Sequence, residues 1–148
     1  MNSISLREAT NLDKEFVYKV LRSASIDYVI KTWGLWDEVR QKKNFSNKYD
    51  PASVRIIRYG ACEVGFVAVR YNVDEIFISE LNILPEYQNR GIGSHILNNL
   101  LNKAAGEGLN VGMQVLKVNP ARRLYERLGF TYCGETGTHY LMEKKAQP

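Results

Sequence analysis

Cysteine and histidine are scarce in this 148-residue sequence, which holds two of each: Cys62 and Cys133, His95 and His139. Two cysteines are too few for a disulfide framework, and their spacing does not fit a metal site. We expect both to be reduced and to behave as small hydrophobic residues in strands. Two histidines do not supply a zinc site, so no metal cofactor is expected.

Long hydrophobic runs are also missing. No stretch reaches the length of a membrane helix, and Met1–Thr10 is polar without a signal-peptide core. We therefore expect a cytoplasmic protein with no membrane partner. Hydrophobic residues make up 45% and charged residues 24% of the chain, which suits a folded interior and argues against disorder. The length predicts a single domain over residues 1–148.

The net charge of +4 suits a polyanionic partner, either nucleic acid or a phosphorylated cofactor. A nucleic-acid-binding module would need a helix-turn-helix, or a basic stripe with exposed aromatics on strands. The basic residues here are dispersed along the chain. We therefore expect no nucleic-acid partner.

Apolar periodicity and turn residues predict the order β, α, α, three β, α, β, α, two β. This is an α/β fold of the α+β type, with a mixed, mostly antiparallel sheet flanked by helices. A capping box at Thr10 and Asp13 opens the first helix, and an aromatic loop covers Trp33–Trp36. The predicted strands are Ile4–Leu6, Val54–Tyr59, Glu63–Tyr71, Glu75–Leu84, Val111–Val118, Phe130–Cys133 and His139–Met142; the later helices are Asp37–Asn47, Gly93–Ala105 and Pro120–Leu128.

The most informative segment follows the predicted strand Glu75–Leu84. There Pro85 and Gln88 precede Gly91-Ile92-Gly93, which stands at the start of a helix. Glycines let the backbone turn tightly and approach a ligand, and the first N–H groups of a helix favour an anion. A P-loop is absent, and the dinucleotide fingerprint fails because Ile96 replaces its third glycine. The pattern Gln/Arg-x-x-Gly-x-Gly/Ala is met. A plain turn between strand and helix is the alternative interpretation.

A second informative block covers Val115–Phe130. It contains the end of a strand, then Asn119, then a short helix that includes Tyr125, and finally Gly129-Phe130. Together with Ile83–Gly93, in this order and spacing, it closely resembles the GNAT superfamily of N-acetyltransferases. The resemblance covers residues 75–130 strongly and the remainder loosely. It implies a GNAT fold, acetyl-CoA as cosubstrate and acetyl transfer to a primary amine, of a small molecule or a peptide, by direct attack in a ternary complex.

In that family the strand before the glycine loop separates from its neighbour at a bulge, and acetyl-CoA enters the gap. The resemblance implies that the backbone of Ile83 and Leu84 binds the pantetheine arm and that Asn119 hydrogen-bonds it. Asn119 also suits the cap of the short helix. The pyrophosphate would be held by Gln88, Asn89, Arg90, Gly91, Ile92, Gly93 and Ser94.

Catalysis needs a base for the amine and an acid for the thiolate. Tyr125 is expected beside the sulfur as the acid, although it could simply pack on the sheet. Glu80 is the candidate base, with a water chain as the alternative. Gln114 stands where some relatives carry a glutamate and cannot act as a base.

The acceptor wall is expected at Trp33 and Trp36, which could stack on an acceptor or cap the core, together with Gln114. The acceptor's identity is open, and the protein is expected to be a monomer or homodimer. A non-catalytic acyl-CoA sensor of the same fold is the rival hypothesis.

Overall fold

The computed structural model describes residues 2–146, and within them seven strands are hydrogen-bonded in the order β1-β2-β3-β4-β5-β7-β6. The β4–β5 pair is parallel, whereas β1–β2, β2–β3, β5–β7 and β6–β7 are antiparallel. The predicted mixed, mostly antiparallel sheet is thereby confirmed. The strands are β1 (Ile4–Glu8), β2 (Val54–Tyr59), β3 (Cys62–Tyr71), β4 (Glu75–Ile83), β5 (Asn110–Leu116), β6 (Thr131–Glu135) and β7 (His139–Lys144), and the helices are α1 (Lys14–Trp33), α2 (Glu38–Lys48), α3 (Ile92–Glu107) and α4 (Arg122–Arg127).

The chain divides into two compact units, one formed by residues 2–68 and 80–92 and the other by residues 69–79 and 93–146. Strands β3 and β4 contribute residues to both. The single-domain boundaries 1–148 remain a prediction.

The first unit is organised around α1, and the predicted capping box closes the short 3-10 turn Asn11–Asp13 that leads directly into this helix. The Thr10 hydroxyl accepts from the Leu12 N–H at 3.1 Å, and the Asp13 carboxylate accepts from the Thr10 N–H at 2.8 Å. This arrangement satisfies two N–H groups that a helix start leaves unpaired. The helix then buries Val17 and Val20 in an apolar cluster that also contains Ala9, Val54, Ile56, Phe66 and Leu84.

A carboxylate holds the beginning of α2 against α1. Glu38 accepts hydrogen bonds from the Tyr18 hydroxyl, from Arg22 Nε at 2.6 Å and from Trp36 Nε1 at 2.9 Å. These donors lower the pKa of Glu38 to about 2, the Trp36 bond being the largest cause. Burial, together with the bond to Glu38, raises the pKa of Tyr18 to about 12.

The second unit buries one face of α3 and one face of β5. Ile96, Leu97 and Leu100 of α3 are at most 9% exposed, and Val111, Met113 and Val115 of β5 at most 4%. The parallel pairing of β4 with β5 runs from Glu75–Asn110 to Ile78–Met113. Beyond that point β5 continues through Leu116 in register with β7.

Some local expectations were wrong. Trp33 is the last residue of α1 rather than part of a loop, because the helix continues until Gly34 adopts a left-handed φ of 91°. Both cysteines lie in strands as predicted, in β3 and β6, but they are exposed rather than buried. The last short helix begins at Arg122 instead of Pro120, after the turn that Asn119 caps.

Glu38→Gln should weaken the attachment of α2 to α1. A carboxylate whose folded pKa is depressed contributes stability above its unfolded pKa of about 4.5, and that stability is lost as the pH falls toward the folded value. The melting temperature of Glu38→Gln should therefore be below that of the parent at pH 7, and the difference should shrink between about pH 4.5 and pH 2. Asp27→Asn, which changes an exposed carboxylate of α1 that is not part of this contact, is the control. A difference that is independent of pH would show that the Glu38 charge is not what stabilises this contact.

Candidate active site

The end of β4 is held by backbone contacts within the first unit. The Leu84 N–H donates to the Val64 carbonyl at 2.8 Å, and Gln88 Nε2 donates to the Ile83 carbonyl at 2.9 Å. Successive residues of a strand direct their backbone groups to opposite edges. Since Leu84 faces β3, the N–H and C=O of Ile83 point to the other edge.

The segment after Tyr87 turns through two left-handed residues, Asn89 at φ 62° and Gly91 at φ 80°. Left-handed residues alternating with right-handed ones turn N–H groups toward one side, which favours anion binding. A Cβ built on Gly91 would meet nothing within 4 Å, so the space beside this backbone is open. α3 begins at the next residue, Ile92, which is 1% exposed and anchors the turn.

Arg90 is oriented by its neighbours in the loop. Its Nη2 donates to the Glu86 carbonyl at 3.2 Å, and its guanidinium carbon lies 5.2 Å from the centre of the Tyr87 ring. A guanidinium has five N–H donors, so these contacts leave charge-assisted donors for an anion. Gly93 and Ser94, the last predicted members of the loop, form the first turn of α3 and are half-buried.

Glu80 lies in the last part of β4 and accepts a hydrogen bond from Asn82 Nδ2 at 2.8 Å. Its side chain is open to solvent, yet it is crowded by surrounding protein. This burial raises the pKa of Glu80, and the Asn82 amide partly opposes the shift. A raised pKa makes a carboxylate a stronger proton acceptor, which suits a general base.

Two predicted cofactor residues lie around α4. Asn119 Oδ1 accepts from the Ala121 N–H at 2.9 Å, so the asparagine does cap the turn that leads into α4. Tyr125 is 9% exposed, and its ring packs edge-on against Phe130 with 6.2 Å between centres. The Tyr125 ring thus has an aromatic packing partner, and its role as the acid stays a prediction.

The predicted acceptor residues lie in separate parts of the chain. Gln114 is exposed on β5 opposite Leu141 of β7. Trp36 is half-buried, and its indole N–H is bonded to Glu38. Trp33 is 54% exposed at the end of α1.

Sequence reasoning missed two polar residues beside these candidates. Asn82 shares its strand face with Glu80, and this i, i+2 spacing in a predicted strand was a usable signal. His139 lies opposite Leu116 in the β5–β7 register. No local pattern could have revealed that neighbour, because the pairing joins residues 23 positions apart.

Comparison with known proteins identifies the family. The profile of the Acetyltransferase (GNAT) domain matches residues 51–132, more than half of the chain, so the protein belongs to the GNAT acetyltransferase family. The predicted family and fold are confirmed.

Two curated relatives are similar to this chain over only part of its length. The [ribosomal protein bS18]-alanine N-acetyltransferase of Haemophilus influenzae is 34% identical over 68 residues, covering 45% of this chain and 47% of the relative. Streptothricin acetyltransferase of Streptomyces lavendulae is 31% identical over 74 residues, covering 47% of this chain and 39% of the relative. The matches thus span less than half of these relatives' length.

Among solved structures, the PaiA N-acetyltransferase of Thermoplasma acidophilum in complex with coenzyme A aligns with a TM-score of 0.76 at 19% identity, covering 97% of this chain and 99% of the other. This likeness supports the fold. Within residues 2–146, no helix has the length and apolar character needed to cross a membrane. The same residues contain no group of three or more His, Cys, Asp or Glu side chains placed to hold a metal ion.

Gly91→Asp should abolish acetyl-CoA binding while the protein remains folded, because it adds a negative charge and a side chain where backbone would meet phosphate. Gly108→Asp is the matched control. Gly108 also has a left-handed φ, of 68°, and open space at its Cβ, but it follows the other end of α3. Both variants therefore carry similar backbone strain and the same charge.

Thermal melts and calorimetry with acetyl-CoA measure the difference. The parent and Gly108→Asp should be stabilised by saturating cofactor, whereas Gly91→Asp should show no shift. Equal binding by both variants would refute the assignment of the loop.

Proposed function

We propose that this protein is an N-acetyltransferase that moves the acetyl group of acetyl-CoA to a primary amine by direct attack in a ternary complex. The observation that carries the proposal is the loop Gln88–Ser94, in which two left-handed residues lead into the first turn of α3. The family assignment supports it, because this loop lies inside the matched residues 51–132.

In this proposal the loop holds the pyrophosphate of acetyl-CoA through its backbone N–H groups and the first turn of α3. Arg90 adds charge-assisted hydrogen bonds. Ile83 directs its N–H to the edge away from β3, where it serves the pantetheine arm and the thioester carbonyl. Such a fixed donor stabilises developing oxygen charge.

Leu84 has a different role from that of Ile83. Its N–H is bonded to Val64, its C=O accepts from the Tyr87 N–H at 2.9 Å, and its side chain is 7% exposed within the apolar cluster. We therefore assign Leu84 the role of anchoring the strand end, so that Ile83 is presented in a fixed position.

The amine must lose a proton to react, since lysine-like amines are mostly protonated at neutral pH. Glu80 is the proposed proton acceptor, and its raised pKa strengthens it as a base. Tyr125 is the proposed acid for the departing thiolate. Asn119 can cap the turn before α4 and still offer its Nδ2 group to the pantetheine arm, because the cap uses Oδ1.

The names of two relatives indicate which classes of acceptor amine to test. One relative is named for an alanine amine of a ribosomal protein and the other for streptothricin. A screen with release of the CoA thiol should therefore compare alanine-initiated peptides, lysine peptides, spermidine and streptothricin. Turnover of any of these excludes the acyl-CoA sensor; binding of acetyl-CoA without any turnover favours it. A cytoplasmic location and a monomeric or homodimeric state remain predictions.

Glu80→Gln should lower kcat by about a hundredfold or more if Glu80 removes the proton, with little effect on acetyl-CoA affinity. Because the base must be ionised, the parent's kcat should fall as the pH decreases through a pKa above 4.5. That acidic limb should disappear in the variant. Glu75→Gln, at the start of the same strand, is the control. An unchanged pH profile in Glu80→Gln would transfer the role to a water chain.

Tyr125→Phe keeps the ring and its packing on Phe130 but removes the proton donor. The chemical step should slow by about a hundredfold or more if acid catalysis is real. Acetyl-CoA affinity should change far less, because one hydrogen bond contributes about 0.5–1.5 kcal/mol. Single-turnover acetyl transfer beside a cofactor titration measures both quantities. Tyr132→Phe removes an exposed hydroxyl of the same unit as a control, and equal rates in parent and Tyr125→Phe would dismiss the acid role.

A further inference from the structure

Two polar side chains of the first unit meet in the last part of β4. Glu80 and Asn82 are two residues apart in the strand, so their side chains leave the same face. Asn82 Nδ2 donates to Glu80 Oε2 at 2.8 Å, a distance within the range of a well-formed N–H···O hydrogen bond. We call this contact the Asn82–Glu80 bond.

The backbone of Asn82 is held in place by β3. A Cβ built on Gly65 would lie 2.4 Å from the Asn82 carbonyl oxygen, so the strands approach here more closely than a side chain at residue 65 would allow. Two residues later, the Leu84 N–H donates to the Val64 carbonyl at 2.8 Å. The Asn82 amide therefore extends from a backbone that is fixed on both sides.

The two side chains differ in exposure and in how much of their hydrogen-bonding capacity the contact uses. Glu80 is exposed, whereas Asn82 is half-buried. An ionised carboxylate accepts hydrogen bonds at both of its oxygens. The Asn82–Glu80 bond uses Oε2 and leaves Oε1 for a proton that arrives from outside.

A carboxylate that is crowded by protein needs a donor in order to remain ionised. Burial disfavours the charged form and raises the pKa of Glu80. The Asn82 amide acts in the opposite direction, because a hydrogen bond to the charged form favours that form. Without this donor the carboxyl would stay protonated to a higher pH, and a protonated carboxyl cannot take a proton from an amine.

Burial and the Asn82 amide are the two causes of the shift in the pKa of Glu80. The charged side chains on neighbouring elements of the first unit are engaged in other contacts or exposed. Glu63 of β3 pairs with Arg7, Arg22 of α1 pairs with Glu38, Arg90 stacks on Tyr87, and Asp27, Lys31 and Glu86 are exposed.

We propose that Asn82 is a positioning residue for proton transfer: its amide holds Oε2 of Glu80, which keeps the carboxylate ionised and turns Oε1 toward the acceptor amine. The inference rests on the proposed function, in which Glu80 takes the amine proton. In that step an N–H bond of the amine breaks and an O–H bond forms at Oε1, while Asn82 exchanges no proton.

The proposal has a consequence for the pH dependence of kcat. Since the base must be ionised, kcat falls as the pH decreases through the pKa of Glu80. Loss of the Asn82 donor raises this pKa, so the fall should begin at a higher pH. The affinity for acetyl-CoA should not follow, because the titrating group is the base.

The test measures kcat at saturating amine and acetyl-CoA between pH 8 and pH 5.5 in the parent, Asn82→Leu and Glu80→Gln. The probe amines are an alanyl tripeptide amide, Nα-acetyl-lysine amide and spermidine, and the one with the highest kcat/KM in the parent is used. The ratio of kcat at pH 5.5 to kcat at pH 8 should be about three- to tenfold lower in Asn82→Leu than in the parent. Protonation of the amine itself affects both proteins equally and cancels in this comparison.

A second variant separates loss of the donor from a change in side-chain shape. Asn82→Asp keeps the shape but replaces the amide by a carboxyl, which disfavours ionisation of Glu80, so the ratio should fall further than in Asn82→Leu. Asn102→Leu makes the same change as Asn82→Leu at an exposed position of α3 and should behave as the parent. If the acidic limb is present in the parent and absent in Glu80→Gln, but unmoved in both Asn82 variants, the inference is overturned while the proposed function stands.

A measurement without turnover covers the case in which none of the three amines is acetylated, which would contradict the proposed function. The carboxyl carbon resonance of Glu80 in protein labelled with ¹³C-glutamate, assigned by its loss in Glu80→Gln, is titrated in the parent and in Asn82→Leu. A titration midpoint at higher pH in Asn82→Leu supports the action of Asn82 on the carboxylate. Equal midpoints overturn it.

Discussion

A backbone carbonyl occupies the space that a side chain at residue 65 would need. A Cβ built on Gly65 would overlap the Asn82 oxygen and lie 3.1 Å from Ile83 Cα. Glycine therefore allows β3 and β4 to approach closely where β4 ends, and the Leu84 N–H closes the contact on Val64. The direction in which the chain enters the loop Gln88–Ser94 depends on this approach, because Gln88 in turn bonds the carbonyl of Ile83.

The same short segment also carries the proposed chemistry. Ile83 presents backbone groups at the edge away from β3, and Glu80 is placed three residues earlier on the same strand. A rigid strand positions both more accurately than a loop would. The loop that follows supplies what a strand cannot, namely N–H groups that converge on an anion. In the proposed mechanism, binding and proton transfer are thus distributed between two kinds of backbone that follow one another directly in the chain.

Charge and apolar packing together hold the helices of the first unit, since α1 buries Val17 and Val20 in the apolar cluster and Phe45 of α2 packs against it. Glu38 gathers three donors from α1 and from the chain just before α2, and α2 itself has no buried residue. Trp36 donates to the same carboxylate, so it belongs to the connection between the helices, whereas its place in an acceptor wall stays a prediction. Trp33 is more than half exposed, whereas Trp36 is half-buried.

Local chemistry determined much of this protein from its sequence alone. The Thr10–Asp13 capping box, the bounds of β2 and the glycine turn before α3 follow from neighbouring residues, because caps, alternation and left-handed turns are properties of short segments. Only the tertiary structure decided that Trp33 completes a helix, that Gly65 faces the Asn82 carbonyl and that His139 pairs with Leu116. The last two contacts join residues far apart in the chain, and strand register, which a single sequence specifies only through the packing of the whole sheet, sets them.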